Sequence, residues 1–170
     1  MHAFSDLVQR STAFSLNALA VAQTGVIEGL QTSSATAIVK AAQMIQLQKA
    51  ISAVGMFSMF DAILQERLQC EDGFKGAAAL LEAKGELLLK ERFADLQLTI
   101  NVLKHGKGRS YDALVQKADT LSFRIKLPGE AFFNEGDVAE VSTLVEVDDA
   151  FVLLCAEVIH DVSVSIMGSA

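Results

Sequence analysis

Residues 87–106 read LLLKERFADLQLTINVLKHG, and this stretch has the clearest periodicity in the chain. Its apolar side chains recur at alternating intervals of four and three residues: Leu89, Phe93, Leu96, Ile100 and Leu103. This spacing predicts an α-helix with one narrow apolar seam that faces a core or a partner helix. Gly106 then stands where a glycine typically ends a helix. We therefore expect a core helix in a helical fold.

The composition favours long helices throughout the 170 residues, because the chain has one proline and 11 glycines and a β fold needs frequent turns. This length suits a single helical-bundle domain, residues 1–170, with a sizeable core. Apolar residues make up 51% of the chain, and the mean hydropathy is +0.35. Such a chain is expected to bury extra helix surface in an oligomer, most simply a homodimer.

Before residue 87 the pattern predicts three helices, the first from residue 4 to about 31. Its apolar residues form two stripes, which predicts neighbours on more than one side. One stripe contains Phe4, Leu7, Phe14, Ala18, Val21 and Gly25. The other contains Leu16, Leu19, Val26 and Leu30.

The second helix is predicted over about 35–70, with Thr32, Ser33 or Ser34 as its N-cap. The alternative is one continuous helix through this boundary. Gly73 is expected to end the second helix, and Gly85 to end a third over roughly 74–84.

After Gly106, Ser110 is expected to cap a short helix, with Asp112 in its first turn. The segment LSFRIKL then alternates apolar and polar residues, and VSTLVEV is β-branched. These segments predict a small β-hairpin or extended excursion near residues 120–147, with turns at Pro128–Gly129 and 134–136. A last helix is expected to start near Asp148 or Asp149. The fold class is therefore mainly α, an up-down bundle of about five helices.

Several classes of protein and site are disfavoured. Cys70 and Cys155 lack a CxxC pattern, so buried thiols in a reducing compartment are preferred to a disulfide. The charge-free run Ser11–Ile27 is too short and polar to span a membrane, so we expect a cytoplasmic protein with no membrane contact. ExxH occurs once, at Glu157–His160, whereas a di-iron bundle needs it on two helices together with further inward glutamates; no GxxxxGK[ST] or GxGxxG motif is present, so no metal and no cofactor are expected.

The chemistry concentrates in residues 101–112, NVLKHGKGRSYD. Although the net charge is −7, six positions hold four basic residues: Lys104, His105, Lys107 and Arg109. Glycines between them would let an anion approach the backbone, and Ser110 and Tyr111 could add a hydrogen bond and base stacking. The alternative is purely structural, because basic residues are ordinary at a helix C-terminus.

The pattern N-x-x-x-H near the end of a core helix, followed by a glycine-basic turn, resembles the HEPN superfamily (higher eukaryotes and prokaryotes nucleotide-binding). Its members are helical bundles, commonly dimeric, and many are metal-independent ribonucleases of prokaryotic toxin–antitoxin and defence systems. The resemblance maps Asn101 and His105 onto the polar residue and the histidine of the family motif. It implies that these two are the candidate catalytic residues, with the histidine moving a proton during attack by an RNA 2′-hydroxyl.

This sequence departs from the family at one position, since Ile100 stands where the motif has an arginine. That departure argues against ribonuclease activity unless Lys104 or Arg109 supplies the missing cation. We therefore expect a HEPN-like helical protein that binds RNA, a nucleotide or another anion through its basic glycine loop. The alternative function is a non-catalytic dimeric helical scaffold or protein-interaction module with a protein partner.

Overall fold

The computed structural model describes residues 4–32, 36–130 and 143–168. These residues form six α-helices: α1 (Phe4–Thr32), α2 (Thr36–Leu68), α3 (Gly73–Ala83), α4 (Leu87–His105), α5 (Arg109–Gln116) and α6 (Asp149–Met167). The predicted mainly α-helical bundle is confirmed, with six helices instead of about five. The α1 and α2 segments pack against each other, so they are two helices and not one continuous helix. The proposed caps Ser33 and Ser34 lie outside the described residues.

The core is organised around Phe93 of α4. Its ring lies 6.2 Å from the rings of Phe57 and Phe60 on α2, and 5.4 Å from the ring of Phe74 on α3, between ring centroids. Ile100 is buried about two turns further on, and Leu89 and Leu103 pack against the same core at the two ends of the seam. The predicted seam of α4 is therefore confirmed as a core-facing seam.

The junction between α2 and α3 differs from the prediction. Gly73 does not end α2; it is the first residue of α3 and is buried. A Cβ atom there would lie 2.6 Å from the backbone oxygen of Asp61, so the two helices approach too closely for a side chain. The turn is made instead by Gln69, which has a positive φ of 52° without being a glycine. Asp72 then caps α3 by accepting a hydrogen bond from the Lys75 N–H at 2.9 Å.

The predicted β-hairpin is only partly present among the described residues. Ile125 and Val145 form an isolated antiparallel bridge and are buried, but no strand extends from it in residues 121–130 or 143–148. The Pro128–Gly129 turn is confirmed, since Gly129 has a φ of 83° and the Glu130 N–H donates to the Leu127 carbonyl. The predicted turn at 134–136 lies outside the described residues. The segment is thus an extended excursion.

Helix α6 is tied to three other helices. Asp148 caps it by accepting a hydrogen bond from the Phe151 N–H at 2.8 Å, which confirms one of the two predicted caps. The buried Lys49 of α2 reaches Asp149 at 2.7 Å, between Nζ and Oδ1. Arg92 of α4 pairs with Glu157 at 2.9 Å. The Lys84 ammonium, just after α3, donates to the Ser165 carbonyl near the end of α6.

Helix α1 buries only one of its two predicted apolar stripes. The stripe of Leu16, Leu19, Val26 and Leu30 is buried or half-buried. The other stripe is exposed except for Phe4, whose ring stacks on Phe60. Ser11 continues this exposed line, and we call the following residues the outer stripe: Leu7, Ser11, Phe14, Ala18, Val21 and Gly25. Helix α1 packs against both α2 and α6, but no described residue covers its outer stripe, so the predicted burial of both stripes is met only for one of them in the described part of the chain.

Helix α2 is long and apolar enough to cross a membrane by length and composition alone, the one such helix in the described part of the chain. Core helices of soluble proteins pass the same test, and 33% of the relevant window is buried in the bundle. The charged residues of α2, Lys40 and Lys49 among them, interrupt the charge-free pattern that singled out Ser11–Ile27 in the sequence.

Candidate anion-binding loop

The basic loop, residues 104–110, joins α4 to α5 by a sharp turn. Gly106 ends α4 as predicted: it has a φ of 74°, and its N–H donates to the Val102 carbonyl at 2.8 Å. The cap of α5 is Gly108 and not Ser110, which lies inside the helix and makes no capping hydrogen bond. Asp112 stands in the first turn of α5, as expected.

Tyr111 anchors the start of α5 to the body of the protein. Its side chain is 4% exposed, and its hydroxyl donates to the Lys126 carbonyl at 2.6 Å. The expected stacking of Tyr111 on a base or sugar is therefore wrong for this structure, because the ring is packed in the core. Sequence alone could not separate the two roles, since a tyrosine beside basic residues suits either.

The far end of α5 is fixed by Lys117. Its ammonium lies 2.6 Å from Oδ1 of Asp95 and 3.4 Å from Oε1 of Glu91, both on α4. The hydrogen bond to Asp95 raises the pKa of Lys117 above its ordinary value, and the charges of both carboxylates add to this effect. The α4–loop–α5 hairpin is thus held at both ends of α5, and the loop projects from a fixed frame.

The charged side chains of the loop are exposed and have no polar partner among the described residues. Lys104, His105, Lys107 and Arg109 all face solvent, and none makes an ion pair or a side-chain hydrogen bond with a described residue. The basic residues are therefore not neutralised by any carboxylate in residues 4–32, 36–130 and 143–168. This arrangement leaves their charge available to an anion in solution.

Most lysines and arginines outside the loop have a partner among the described residues. Seven other lysines and arginines make an ion pair or a hydrogen bond within the chain: Arg10, Lys49, Lys84, Lys90, Arg92, Lys117 and Arg124. Of the remaining seven, three lie within six positions in the basic loop. In a protein with 21 acidic and 14 basic residues, positive charge without a partner among the described residues is therefore concentrated in this loop.

The backbone of the loop adds further donors. Helix α5 has no side-chain cap, so the N–H groups of Arg109, Ser110 and Tyr111 lack the partner that a capping side chain would supply. These groups lie at the positive end of the helix dipole, which favours anions. The carboxylate of Asp112, exposed in the same turn, opposes this attraction.

Asn101 and His105 lie one turn apart on α4, Asn101 half-buried and His105 exposed. Ile100, at the position of the family arginine, is buried in the core. Arg92 cannot take over that role, because its guanidinium is paired with Glu157 and lies 3.8 Å from Asp161. Among the described residues, the cations near His105 in sequence that make no ion pair are Lys104, Lys107 and Arg109.

Two surface grooves lie elsewhere, and the sequence analysis missed both. The larger, of about 840 Å³, runs between residues 118–130 and the first half of α6. The smaller, of about 410 Å³, is lined mainly by α4, residues 120–123 and α6. Neither groove includes a residue of the basic loop. No local motif could have indicated them, because each combines segments that are distant in sequence.

The remaining candidates are structural. Cys70 and Cys155 are free thiols, and burial raises the pKa of Cys155. His160 is half-buried, with no hydrogen-bond partner for Nδ1 among the described residues. In that part of the chain, no three His, Cys, Asp or Glu residues lie close enough together to hold a metal ion. His2 lies outside the described residues.

Fold and site together define a small helical-bundle protein with an exposed, unpaired basic loop between two packed helices. Comparison with protein-family models, with curated proteins and with solved structures finds no match for this chain. The resemblance of its Asn101–His105 region to the HEPN superfamily therefore stays a prediction.

Proposed function

We propose that the basic loop binds the phosphate backbone of RNA. The observation that carries this proposal is the exposure of Lys104, Lys107 and Arg109 without any carboxylate partner among the described residues. The uncapped N-terminus of α5 adds backbone donors at the same place. Arginine can contact two phosphate oxygens at once, whereas lysine acts as a point charge.

RNA is preferred to a free nucleotide because of the shape of the site. Small-molecule sites bury most of their ligand in a concave pocket, and neither groove is lined by the loop. A polyanion needs no enclosure, since several neighbouring phosphates can engage an exposed loop at once. The net charge of −7 restricts the contact to this patch, because phosphates are repelled from the acidic remainder.

The proposal is for binding without cleavage. The buried Ile100 removes the cation that would stabilise the phosphate in the HEPN motif, although His105 remains exposed. The HEPN resemblance supports extending the proposal to a role in a prokaryotic toxin–antitoxin or defence system. A metal-independent RNA cleavage that is abolished by His105→Ala, and also by Lys104→Ala or Arg109→Ala, would show that one of these two cations replaces the missing arginine.

The binding test uses a fluorescently labelled single-stranded RNA and a titration of salt. We expect Lys107→Ala/Arg109→Ala to weaken binding and to lower the slope of log K against log[salt] by about 1.4, or about 0.7 for each lost phosphate contact. The matched control is Lys40→Ala/Lys75→Ala, which removes the same charge from two exposed lysines outside the loop. This control should keep most of the affinity and the slope.

A further variant, Asp112→Asn, should strengthen RNA binding, whereas Lys107→Ala/Arg109→Ala should weaken it. Removing a negative charge from the first turn of α5 should tighten RNA binding several-fold at low salt, since the repulsion between two charges a few ångströms apart in water is about 1 kcal/mol. Absence of binding at low salt, or equal affinities for the two double variants, would exclude the loop as an RNA site.

A further inference from the structure

The outer stripe of α1 is a long apolar surface that no described residue covers. Its large members are more than half exposed: Leu7 by 51%, Phe14 by 77% and Val21 by 70%. Its six residues alternate at intervals of four and three, which keeps them in one line along about 27 Å of helix. The same spacing on α4 faces the core, so on α1 it indicates a contact that the described residues of one chain do not complete.

The stripe also lacks charge. From Ser11 to Ile27 no residue of α1 is charged, whereas an exposed helix face ordinarily carries charged and polar side chains. An uncharged surface offers nothing to bind phosphate or an acidic or basic peptide. The occupant must therefore be apolar at the contact.

Large and small side chains alternate along the stripe. Leu7, Phe14 and Val21 are large, and the positions between or after them are small: Ser11, Ala18 and Gly25. If a second α1 lies antiparallel with position 14 facing position 18, then position 7 faces position 25 and position 21 faces position 11. Every large residue then meets a small one, on both chains at once. In a parallel pair, Phe14 would meet Phe14 and Gly25 would meet Gly25. Large residues would then be overpacked at some levels of the contact, and small residues would leave gaps at others.

We propose that the outer stripe is the interface with a second copy of this chain, formed as an antiparallel α1–α1 pair around a two-fold axis. A self-complementary surface closes with two subunits, as symmetric dimers do. The alternation of sizes every seven residues is specific to a helix partner, since a lipid surface places no demand on side-chain size. This inference goes beyond the proposed RNA binding and does not depend on it.

The available area fits a dimer. A stable interface buries about 800 Å² on each partner. Three further large side chains are exposed by about half or more on α2, the helix packed beside α1: Met44, Leu47 and Ile51. At roughly 100 Å² for each exposed side chain, the three large residues of the outer stripe offer on the order of 300 Å² per chain, and a contact that extends over these α2 residues would bring this to on the order of 600 Å². Smaller residues of the α1–α2 hairpin add to this area.

The first test measures molar mass by light scattering after size-exclusion chromatography, over a hundredfold range of concentration. We expect the wild type to have twice the 18.2 kDa of one chain. Ala18→Glu should have the mass of one chain, because it places charges at the centre of the contact. Ala20→Glu is the matched control and should keep the doubled mass, since Ala20 is also exposed but lies about 200° around the helix from Ala18. Circular dichroism checks that both variants remain helical.

The second test fixes the register by disulfide formation in a Cys70→Ser background. Leu7→Cys/Gly25→Cys should form a cross-linked dimer on mild oxidation, because positions 7 and 25 face each other across the contact. Each single variant should fail to cross-link, since identical positions lie about 27 Å apart in this register. A cross-link from Leu7→Cys alone would overturn the antiparallel arrangement.

Other outcomes would reject the second copy as the occupant. A wild type that stays monomeric at the highest concentration overturns the proposal, and so does an Ala18→Glu variant that keeps the doubled mass. A monomer that co-floats with phosphatidylcholine–phosphatidylglycerol vesicles would assign the stripe to a membrane surface. Lys107→Ala/Arg109→Ala should keep the doubled mass, so failure of RNA binding and failure of dimerisation are measured separately.

Discussion

Gly106 and Gly108 lie two residues apart in the basic loop, yet the backbone requires glycine only at the first. Gly106 has a φ of 74° and a ψ of −143°, a conformation that side-chain-bearing residues rarely adopt. Gly108 has a φ of 162°, which is extended backbone open to any residue. Gly106 is therefore required for the turn that sets the direction of the loop. Gly108 is not required by the backbone, and its contribution is the absence of a side chain on the loop surface.

We expect Gly106→Ala to lower the free energy of unfolding by about 1–3 kcal/mol, because a Cβ strains this conformation even though no atom lies in its way. Urea denaturation measures the change. Gly108→Ala is the matched control, with an expected change within about 0.5 kcal/mol. Equal losses in the two variants would contradict this assignment.

For individual residues, the sequence was sufficient to predict some structural roles but not others. Gly106 and Asp148 were predicted correctly, because a helix end makes a local demand on the residue that occupies it. Gly73 and Tyr111 were assigned wrongly, because their roles come from partners distant in sequence, the backbone of Asp61 and the carbonyl of Lys126. The four basic residues of the loop were located by sequence, but their lack of carboxylate partners required the structure.

Helices α4 and α5 are coupled by Lys117, whose side chain is 30% exposed and whose partner Asp95 is 13% exposed. This contact closes the hairpin that presents the basic loop. Its hydrogen bond raises the pKa of Lys117, so the ammonium form is favoured in the folded protein. A group with a raised pKa stabilises the fold fully below its unfolded pKa, and this stabilisation is lost as the pH rises through the folded pKa.

We expect Lys117→Met to lower the free energy of unfolding by about 1 kcal/mol at pH 7, a small value because the contact is partly exposed. The difference from wild type should persist up to the ordinary lysine pKa of about 10.4 and shrink at higher pH. Denaturation curves collected across this pH range give the comparison. Lys75→Met removes an exposed, unpaired lysine and should show no such pH dependence.

Helices α2 and α6 are joined by the pair between Lys49 and Asp149. The ammonium of Lys49 is buried, whereas Asp149 is exposed by about half. Asp149→Ala should therefore cost about 2 kcal/mol, less than a fully buried pair because water can reach the vacated site. Lys49→Met/Asp149→Ala should recover most of this loss in a double-mutant cycle by thermal or urea unfolding. Additive losses would mean that the two charges do not interact.

At the level of elements, helices were more predictable than the excursion near residues 120–147. A helix is specified by its own apolar period and its ends, so α1, α3 and α4 were placed within a few residues. The alternation in LSFRIKL correctly indicated an extended segment with one buried side, since Ile125 is buried and Phe123 packs against the core. It could not show whether a partner strand pairs along it, and only Ile125 and Val145 form a bridge.

The whole molecule has one apolar core that receives side chains from all six helices. Phe93 lies where α2, α3 and α4 meet, and its ring contacts three other phenylalanine rings. Sequence periodicity showed which residues share a stripe but not what covers it, so the exposed outer stripe of α1 was unforeseen. Which stripe a bundle buries depends on how the helices pack, and that is not local information.

Phe93→Ala should lower the free energy of unfolding by about 3–5 kcal/mol, because it leaves a cavity among the three neighbouring rings. Leu88→Ala, on the same helix but at a side chain that is 80% exposed, should change it by less than about 0.5 kcal/mol. Urea denaturation followed by far-ultraviolet circular dichroism gives both values. A loss below 1 kcal/mol for Phe93→Ala would mean that the packing around α4 is looser than described.

The burial of Cys155 gives the protein an internal reporter of its own unfolding. The thiol is fully enclosed in α6, and the raised pKa keeps it protonated, so alkylating reagents cannot attack it in the native state. Cys70, half-buried near the protein surface, is the thiol that such reagents reach first. The modification rate of Cys155 therefore reports how often the core around α6 opens, and mass spectrometry can follow it without any engineered label.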